Sequence, residues 1–171
     1  MRLLADLEKR LLEKGKTDFR FLIIGEGNER EWLEKNLRNA EFTGFLDGER
    51  LAEGYANMDV FVFPSDTDAF GNVVQEANAS GVPSLVTDQG GPKFIVRPNI
   101  TGLIAKNLDD FVRYSIELMD NPEKLAEMKR NSREFALSRS WEAVFESVFD
   151  AYQAAFESKN SKKPEEIAAV K

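Results

Sequence analysis

Two carboxylates, Asp68 and Glu76, stand eight positions apart in the run Ser65-Asp66-Thr67-Asp68-Ala69-Phe70-Gly71-Asn72-Val73-Val74-Gln75-Glu76-Ala77. The residues ahead of them, Val60-Phe61-Val62-Phe63, are β-branched or aromatic, as a buried strand is, and Pro64 follows. Gly71 then opens a helical pattern that carries Glu76 on its second turn. A helix start presents backbone N–H groups without intrahelical acceptors, and these suit a phosphate. A carboxylate beside it accepts hydrogen bonds from sugar hydroxyls. Strand, acidic loop, glycine and helix therefore form the layout of a site for a phosphorylated sugar compound, with nucleotide-sugars as the obvious class. Each acid also has an ordinary reading: a solvated helix glutamate for Glu76, a helix cap for Asp68.

The elements that would position these groups alternate. Helical spacing runs over residues 2–14 with Leu3, Leu4, Leu7, Leu11 and Leu12 on one stripe and the charges opposite. A strand is predicted at 19–24, a helix at 28–38 with Trp32, Leu33 and Leu37 inward, and a short strand at 41–43. Helix 49–57, strand 59–63, helix 71–80 and strand 84–87 follow. A tight loop at Gly90-Gly91-Pro92 leads to a short helix in which Phe94, Ile95 and Val96 face the core. After a last strand at 102–105 the chain is helical, with a break at Asn121-Pro122. The pattern predicts an α/β Rossmann-like three-layer α/β/α domain with a parallel sheet and extra C-terminal helices over residues 1–157. Residues 158–171 are polar and lysine-rich and read as a frayed tail. Ligands bind at the carboxyl ends of such strands, which places loops 25–28, 44–48, 65–71 and 88–92 on one functional edge.

Composition narrows the chemistry. With 171 residues and a formal charge of −7, the chain is one acidic domain with no basic surface for nucleic acid. Cysteine and histidine are both absent, which removes disulfides, thiol nucleophiles, histidine acid–base chemistry and Cys/His zinc sites. No apolar run reaches membrane-spanning length and Met1-Arg2-Leu3-Leu4-Ala5-Asp6 is no signal peptide, so a cytoplasmic domain without membrane contact is expected.

The run from Asp66 to Ser80, with Gly25-Glu26-Gly27-Asn28-Glu29-Arg30, Phe42-Thr43-Gly44, Tyr55-Ala56-Asn57-Met58-Asp59-Val60, Ala79-Ser80-Gly81-Val82-Pro83 and Gly90-Gly91-Pro92, resembles the C-terminal, donor-binding domain of glycosyltransferase family 4. These group 1 enzymes are retaining and have the GT-B fold of two Rossmann-like halves. The family's Glu-seven-residues-Glu signature stands here as Asp68 to Glu76, with Asp replacing the first Glu and Phe70-Gly71 in the usual place. The matches span roughly residues 20–105 in the family's order.

The resemblance implies a donor site for a UDP- or GDP-hexose. Glu76 would accept from the ribose hydroxyls, and the amides of Phe70, Gly71, Asn72 and Val73 would hold the diphosphate. Asp68 would act catalytically, beside the transferred sugar and the charge developing at its anomeric carbon. Arg30, Gly25, Gly27 and Gly44 would border the nucleotide. Neither cofactor nor metal is implied. Asp66-Thr67-Asp68 can also be read as an Asp-x-Asp metal motif for manganese or magnesium, but the surrounding layout belongs to the metal-independent class. Gly25-Glu26-Gly27 is no dinucleotide fingerprint, since Arg30 replaces its third glycine. Lys93, where many relatives carry an acid, is placed to face a phosphate or simply to be solvated.

The family's first strand, its basic turn and the whole N-terminal acceptor half have no counterpart in this sequence. The chain therefore reads as a donor-side fragment that transfers no sugar alone, with a gap beside the strand at 59–63. A non-catalytic nucleotide-binding module and a degenerate partner-binding domain are the rival classes; a sugar-nucleotide epimerase is a more distant one. Trp141, Phe145, Phe149 and Tyr152 form an aromatic stripe that either packs on the sheet or is left unpaired without the other half.

Overall fold

The computed structural model describes residues 1–161, with side chains described through Lys159. The described residues divide into two compact units, the first ending at Ala136 and the second beginning at Leu137. Five strands alternate with helices in the first unit: α1 (Leu3–Glu13), β1 (Phe21–Ile24), α2 (Arg30–Asn36), β2 (Ala40–Gly44), α3 (Gly48–Ala56), β3 (Phe61–Phe63), α4 (Asn72–Ala79), β4 (Ser84–Thr87), a 3-10 turn (Pro92–Phe94), β5 (Gly102–Ala105), α5 (Leu108–Asp120) and α6 (Pro122–Leu137). Every strand pairing is parallel, as expected for strands joined through helices.

The strands form two sheets, β1-β2 and β3-β4-β5. The division falls beside β3, where the sequence predicts a gap. Both faces are covered. In β4, Leu85 joins Leu7 and Leu11 of α1 and Phe111 and Val112 of α5, whereas Val86 joins Val74 of α4. Opposite orientation of neighbouring strand residues explains this split. All four β4 residues are buried, which accounts for the unbroken apolar and small-residue run from Ser84. Leu33 and Leu37 cluster with Leu4, and Trp32 is partly buried against them.

Helix boundaries follow local chemistry. Asn107 Oδ1 accepts from the Asp110 amide at 3.0 Å, and Asp110 Oδ2 accepts from the Lys106 amide at 3.0 Å, a near-reciprocal cap that opens α5. The α5–α6 break falls at Asn121-Pro122 as predicted: Asn121 Oδ1 caps the Lys124 amide at 2.9 Å, and Pro122 occupies the first helical position, where no amide is needed.

Two expectations change in these elements. Glu8, assigned to the charged face of α1, is 2% exposed. Its carboxylate accepts from the Arg38 amide at 3.0 and 2.9 Å and from the Asn39 amide at 2.7 Å, anchoring the chain between α2 and β2. Phe94 does not pack inward: it is 82% exposed, while Val96 is buried. A 3-10 turn has about three residues per turn, so neighbouring side chains cannot all share its inner side.

The second unit contains α7 (Trp141–Ser161), opened by Ser140, whose Oγ accepts from the Ala143 amide at 3.3 Å. The side chains of its aromatic stripe are exposed, from 55% for Phe145 to 75% for Trp141. Helix α7 also runs through 158–161, within the segment predicted to fray; the rest of that tail, residues 162–171, lies outside the described residues.

Candidate nucleotide-sugar site

The chain leaves β3 through Pro64 and returns to helix at Gly71, whose φ of +91° sets the entry angle of α4. That left-handed conformation favours glycine because a Cβ would clash with the backbone. The loop 65–71 lies against the loop that follows β4. The Gly91 amide donates to the Asp68 carbonyl at 2.9 Å, and a Cβ on Gly91 would lie 2.1 Å from the Ala69 carbonyl oxygen. Glycine at 91 is thus required by close backbone approach, and it seats the two loops together at the carboxyl ends of β3 and β4.

Asp68 Oδ1 accepts from the Phe70 amide at 3.0 Å, an Asx turn that holds the carboxylate within its own loop. The Phe70 amide, expected to face a phosphate, is therefore engaged already. Those of Gly71, Asn72 and Val73 have no acceptor among the described residues and stand at the start of α4.

Glu76 projects from the exposed side of α4, as its helical position predicts. Its Oε2 accepts from the Tyr55 hydroxyl at 2.9 Å. Tyr55 is 6% exposed, and burial, reinforced by the neighbouring carboxylate, raises its pKa above the usual phenol range, so it remains a donor at neutral pH. Tyr55 was legible in the sequence only as part of a longer pattern; its hydrogen bond to Glu76 follows from α3 packing beside α4.

A cavity of about 390 Å³ gathers Gly25, Gly27, Arg30, Val73 and Glu76 with Tyr55, Phe45 and Phe63. This is the size of a small-molecule site. Gly44 borders it: a Cβ there would lie 3.5 Å from Arg30 Nη1. Arg30 is held by Glu34 at 2.8 Å and Glu26 at 3.6 Å, so two carboxylates offset its charge. Asp68, Phe70, Gly71 and Asn72 do not line this cavity and belong to the adjoining loop. Phe45 is 70% exposed at the rim, an aromatic surface that the sequence reading passed over. Lys93 Nζ donates to the Asp88 carbonyl at 2.7 Å, tying it to its own loop. Among the described residues no cluster of three or more carboxylates could hold a metal ion, and no helix is long and apolar enough to cross a membrane.

Parallel strands joined through helices and covered on both faces define a Rossmann-like domain. The family model for glycosyl transferases group 1 matches residues 2–135, and the chain belongs to that family. A GDP-mannose-dependent alpha-mannosyltransferase of Mycobacterium tuberculosis is 38% identical over 141 residues, 79% of this chain and 36% of that protein. The sulfoquinovosyl transferase SQD2 of Arabidopsis thaliana is 32% identical over 158 residues, 88% of this chain and 31% of the relative. The chain thus spans about a third of the length of these relatives. Among solved structures, TarM superposes with a TM-score of 0.73 at 23% identity, over 86% of this chain and 31% of that one. Anabaena Alr3699/HepE in complex with UDP and glucose gives 0.70 at 16% identity, over 90% and 44%. The fold is that of one GT-B Rossmann-like half.

Proposed function

We propose that the chain is the donor-binding half of a retaining, metal-independent family 4 glycosyltransferase of the cytoplasm, taking a UDP- or GDP-hexose. The carrying observation is the Glu76 carboxylate, oriented by Tyr55 at the rim of the cavity, with the free amides of α4 one turn away. In this reading Glu76 Oε1 accepts from the ribose hydroxyls. The amides of Gly71, Asn72 and Val73 receive the diphosphate and stabilise the charge that builds on it as the glycosidic bond breaks. The free oxygen of Asp68 faces the sugar and the positive charge developing at its anomeric carbon. Arg30, between two carboxylates, serves as a wall of the nucleotide cavity more than as a phosphate ligand.

Relatives named for GDP-mannose and a fold neighbour solved with UDP support a nucleotide-sugar and leave both bases open. A parent protein supplies the acceptor half, consistent with the third of the relatives' length that this chain covers, and the isolated chain transfers no sugar.

The experiment is a titration of the chain with UDP, GDP, UDP-glucose and GDP-mannose, followed through backbone amide shifts. Saturable shifts at residues 68–76 that vanish in Glu76→Ala support the reading and identify the base. A folded spectrum without response to any of the four removes it.

A further inference from the structure

We infer that Phe94 is a stacking surface for a pyranose ring, set at the seam between the Asp68 loop and the turn that follows β4. The inference rests on the donor-site reading, which seats a sugar at the Asp68 loop, and the test below separates the two.

Packing does not account for Phe94. Among the described residues no large apolar side chain is more exposed. The turn around it is nonetheless anchored: Pro92 and Val96 are buried on either side, Val96 in a cluster with Val74 of α4 and Val86 of β4. The outward aim of Phe94 is thus set by an anchored turn. The ring is held as well. Lys93 Nζ lies over one face, 5.2 Å from the ring centroid, and the same ammonium donates to the Asp88 carbonyl at 2.7 Å. A tethered cation covers one face of the ring and leaves the other to solvent. A side chain already held in place loses little rotamer freedom when a ligand arrives.

Its neighbours put it at the sugar end of the site. The Phe94 amide donates to the Gly91 carbonyl at 3.0 Å, and the Gly91 amide to the Asp68 carbonyl at 2.9 Å. Phe94 is therefore two backbone hydrogen bonds from Asp68. The two segments are packed together: a Cβ on Gly71 would lie 3.0 Å from Pro92 Cγ, and one on Gly91 2.7 Å from Phe70 Cα. Phe70, also exposed, adds a second aromatic to the seam. Neither ring lines the cavity that holds Phe45 and Glu76, which meets the start of α4 at Val73. A nucleotide-sugar with its nucleoside in that cavity and its diphosphate at α4 carries its hexose to the seam.

The chemistry of the seam suits a sugar ring. A pyranose chair turns C–H bonds toward its faces and holds its hydroxyls at its rim. Those hydrogens carry partial positive charge and meet the negative face of an aromatic ring, while apolar area on both partners leaves water. The hydroxyls stay free for acceptors such as Asp68 Oδ2, which accepts no hydrogen bond among the described residues. A purely apolar ligand would leave that carboxylate unused, and a bare phosphate would leave the ring unused.

The test titrates UDP, UDP-glucose, GDP and GDP-mannose into the 171-residue chain, Phe94→Ala and Phe94→Tyr, and reads the affinity that the hexose adds to its nucleotide. Methyl α-glucoside and methyl α-mannoside, followed through the amide shifts of residues 91–95, probe a saccharide without a nucleotide. Where the ring is the donor's hexose, Phe94→Ala cuts the added affinity about three- to tenfold and leaves UDP and GDP binding unchanged, and Phe94→Tyr retains it. Where the ring belongs to an acceptor saccharide, the added affinity is unchanged and the glycoside shifts vanish in Phe94→Ala. Either result supports the inference. No dependence on Phe94 in either arm overturns it. So does an equal loss for UDP and UDP-glucose, which would make the ring a prop of the seam. A wild-type chain that binds none of the four nucleotides removes the donor reading, and the glycosides alone then decide the role of Phe94.

Discussion

The Tyr55 hydroxyl and Glu76 Oε2 lie 2.9 Å apart, joining a phenol buried in α3 to a carboxylate on the exposed side of α4. Among the described residues this is the hydrogen bond that fixes the Glu76 carboxylate, and Oε1 accepts none. A glutamate on a solvated helix face samples several rotamers, and holding one of them removes an entropic cost from ligand binding.

Tyr55→Phe keeps the ring in its apolar setting and removes only the donor. Loss of one charge-assisted bond, about 1–2 kcal/mol, should weaken UDP or GDP binding about 5- to 30-fold. Glu76→Ala should weaken it at least as much, and the double variant no further than Glu76→Ala alone. Titration calorimetry on the three variants checks this; additive losses would show that Tyr55 acts on the ligand by some other route.

The same hydrogen bond has an alkaline signature. Burial, then the Glu76 carboxylate, raises the native Tyr55 pKa above its ordinary value of 10.0. Below pH 10 the phenol is protonated in both states and its contribution to stability is constant. Above pH 10 the unfolded phenol loses its proton while the native one keeps it, so stability falls with rising pH, by up to about 1.4 kcal/mol per unit. Urea midpoints at pH 8, 10 and 11 should show this decline, and Tyr55→Phe should flatten it.

Glu8 offers a test away from the site. It replaces solvent for the amides of Arg38 and Asn39 with one buried carboxylate, and Glu8→Leu would leave both donors without a partner. A cost of about 2–4 kcal/mol is expected, with faster exchange at those two amides. Glu8→Gln, which keeps one acceptor oxygen, should lose less. Denaturant melts of the two variants give the order directly.

Glu8 also shows where sequence reasoning ran out. Leu4, Leu7 and Leu11 marked the buried stripe of α1 correctly, and position 8 belongs to that stripe by the same periodicity. An acid there reads as polar because its partners, two backbone amides about 30 residues away, leave no trace in composition. Phe94 failed for the opposite reason: an apolar run was read as inward although a 3-10 turn spreads its side chains. By contrast the strand–loop–helix around Gly71 was legible, since glycine at a positive φ and an apolar strand before it are local requirements. The layers followed from topology rules, and the break beside β3 from the resemblance to a family with one more strand. Phe45 and Tyr55 did not, because their relation to Glu76 exists only once α3 and the loop after β2 meet α4.

Phe45 carries the last prediction. It follows Gly44, lines the cavity that holds Glu76, and is 70% exposed, which costs apolar surface with no folding return. A flat aromatic at the rim of a nucleotide cavity has an evident use as a stacking surface for the base. Base–aromatic stacking is worth about 1–3 kcal/mol. Phe45→Ala should therefore weaken nucleoside diphosphate binding about 5- to 100-fold with little change in melting temperature, since the ring packs against little in the folded chain. Phe45→Trp should retain or strengthen it. The discriminating ligand is ribose 5-phosphate, which lacks a base: its weaker binding should be the same in wild type and Phe45→Ala. A parallel loss for that ligand would mean that the ring shapes the loop rather than touching the base.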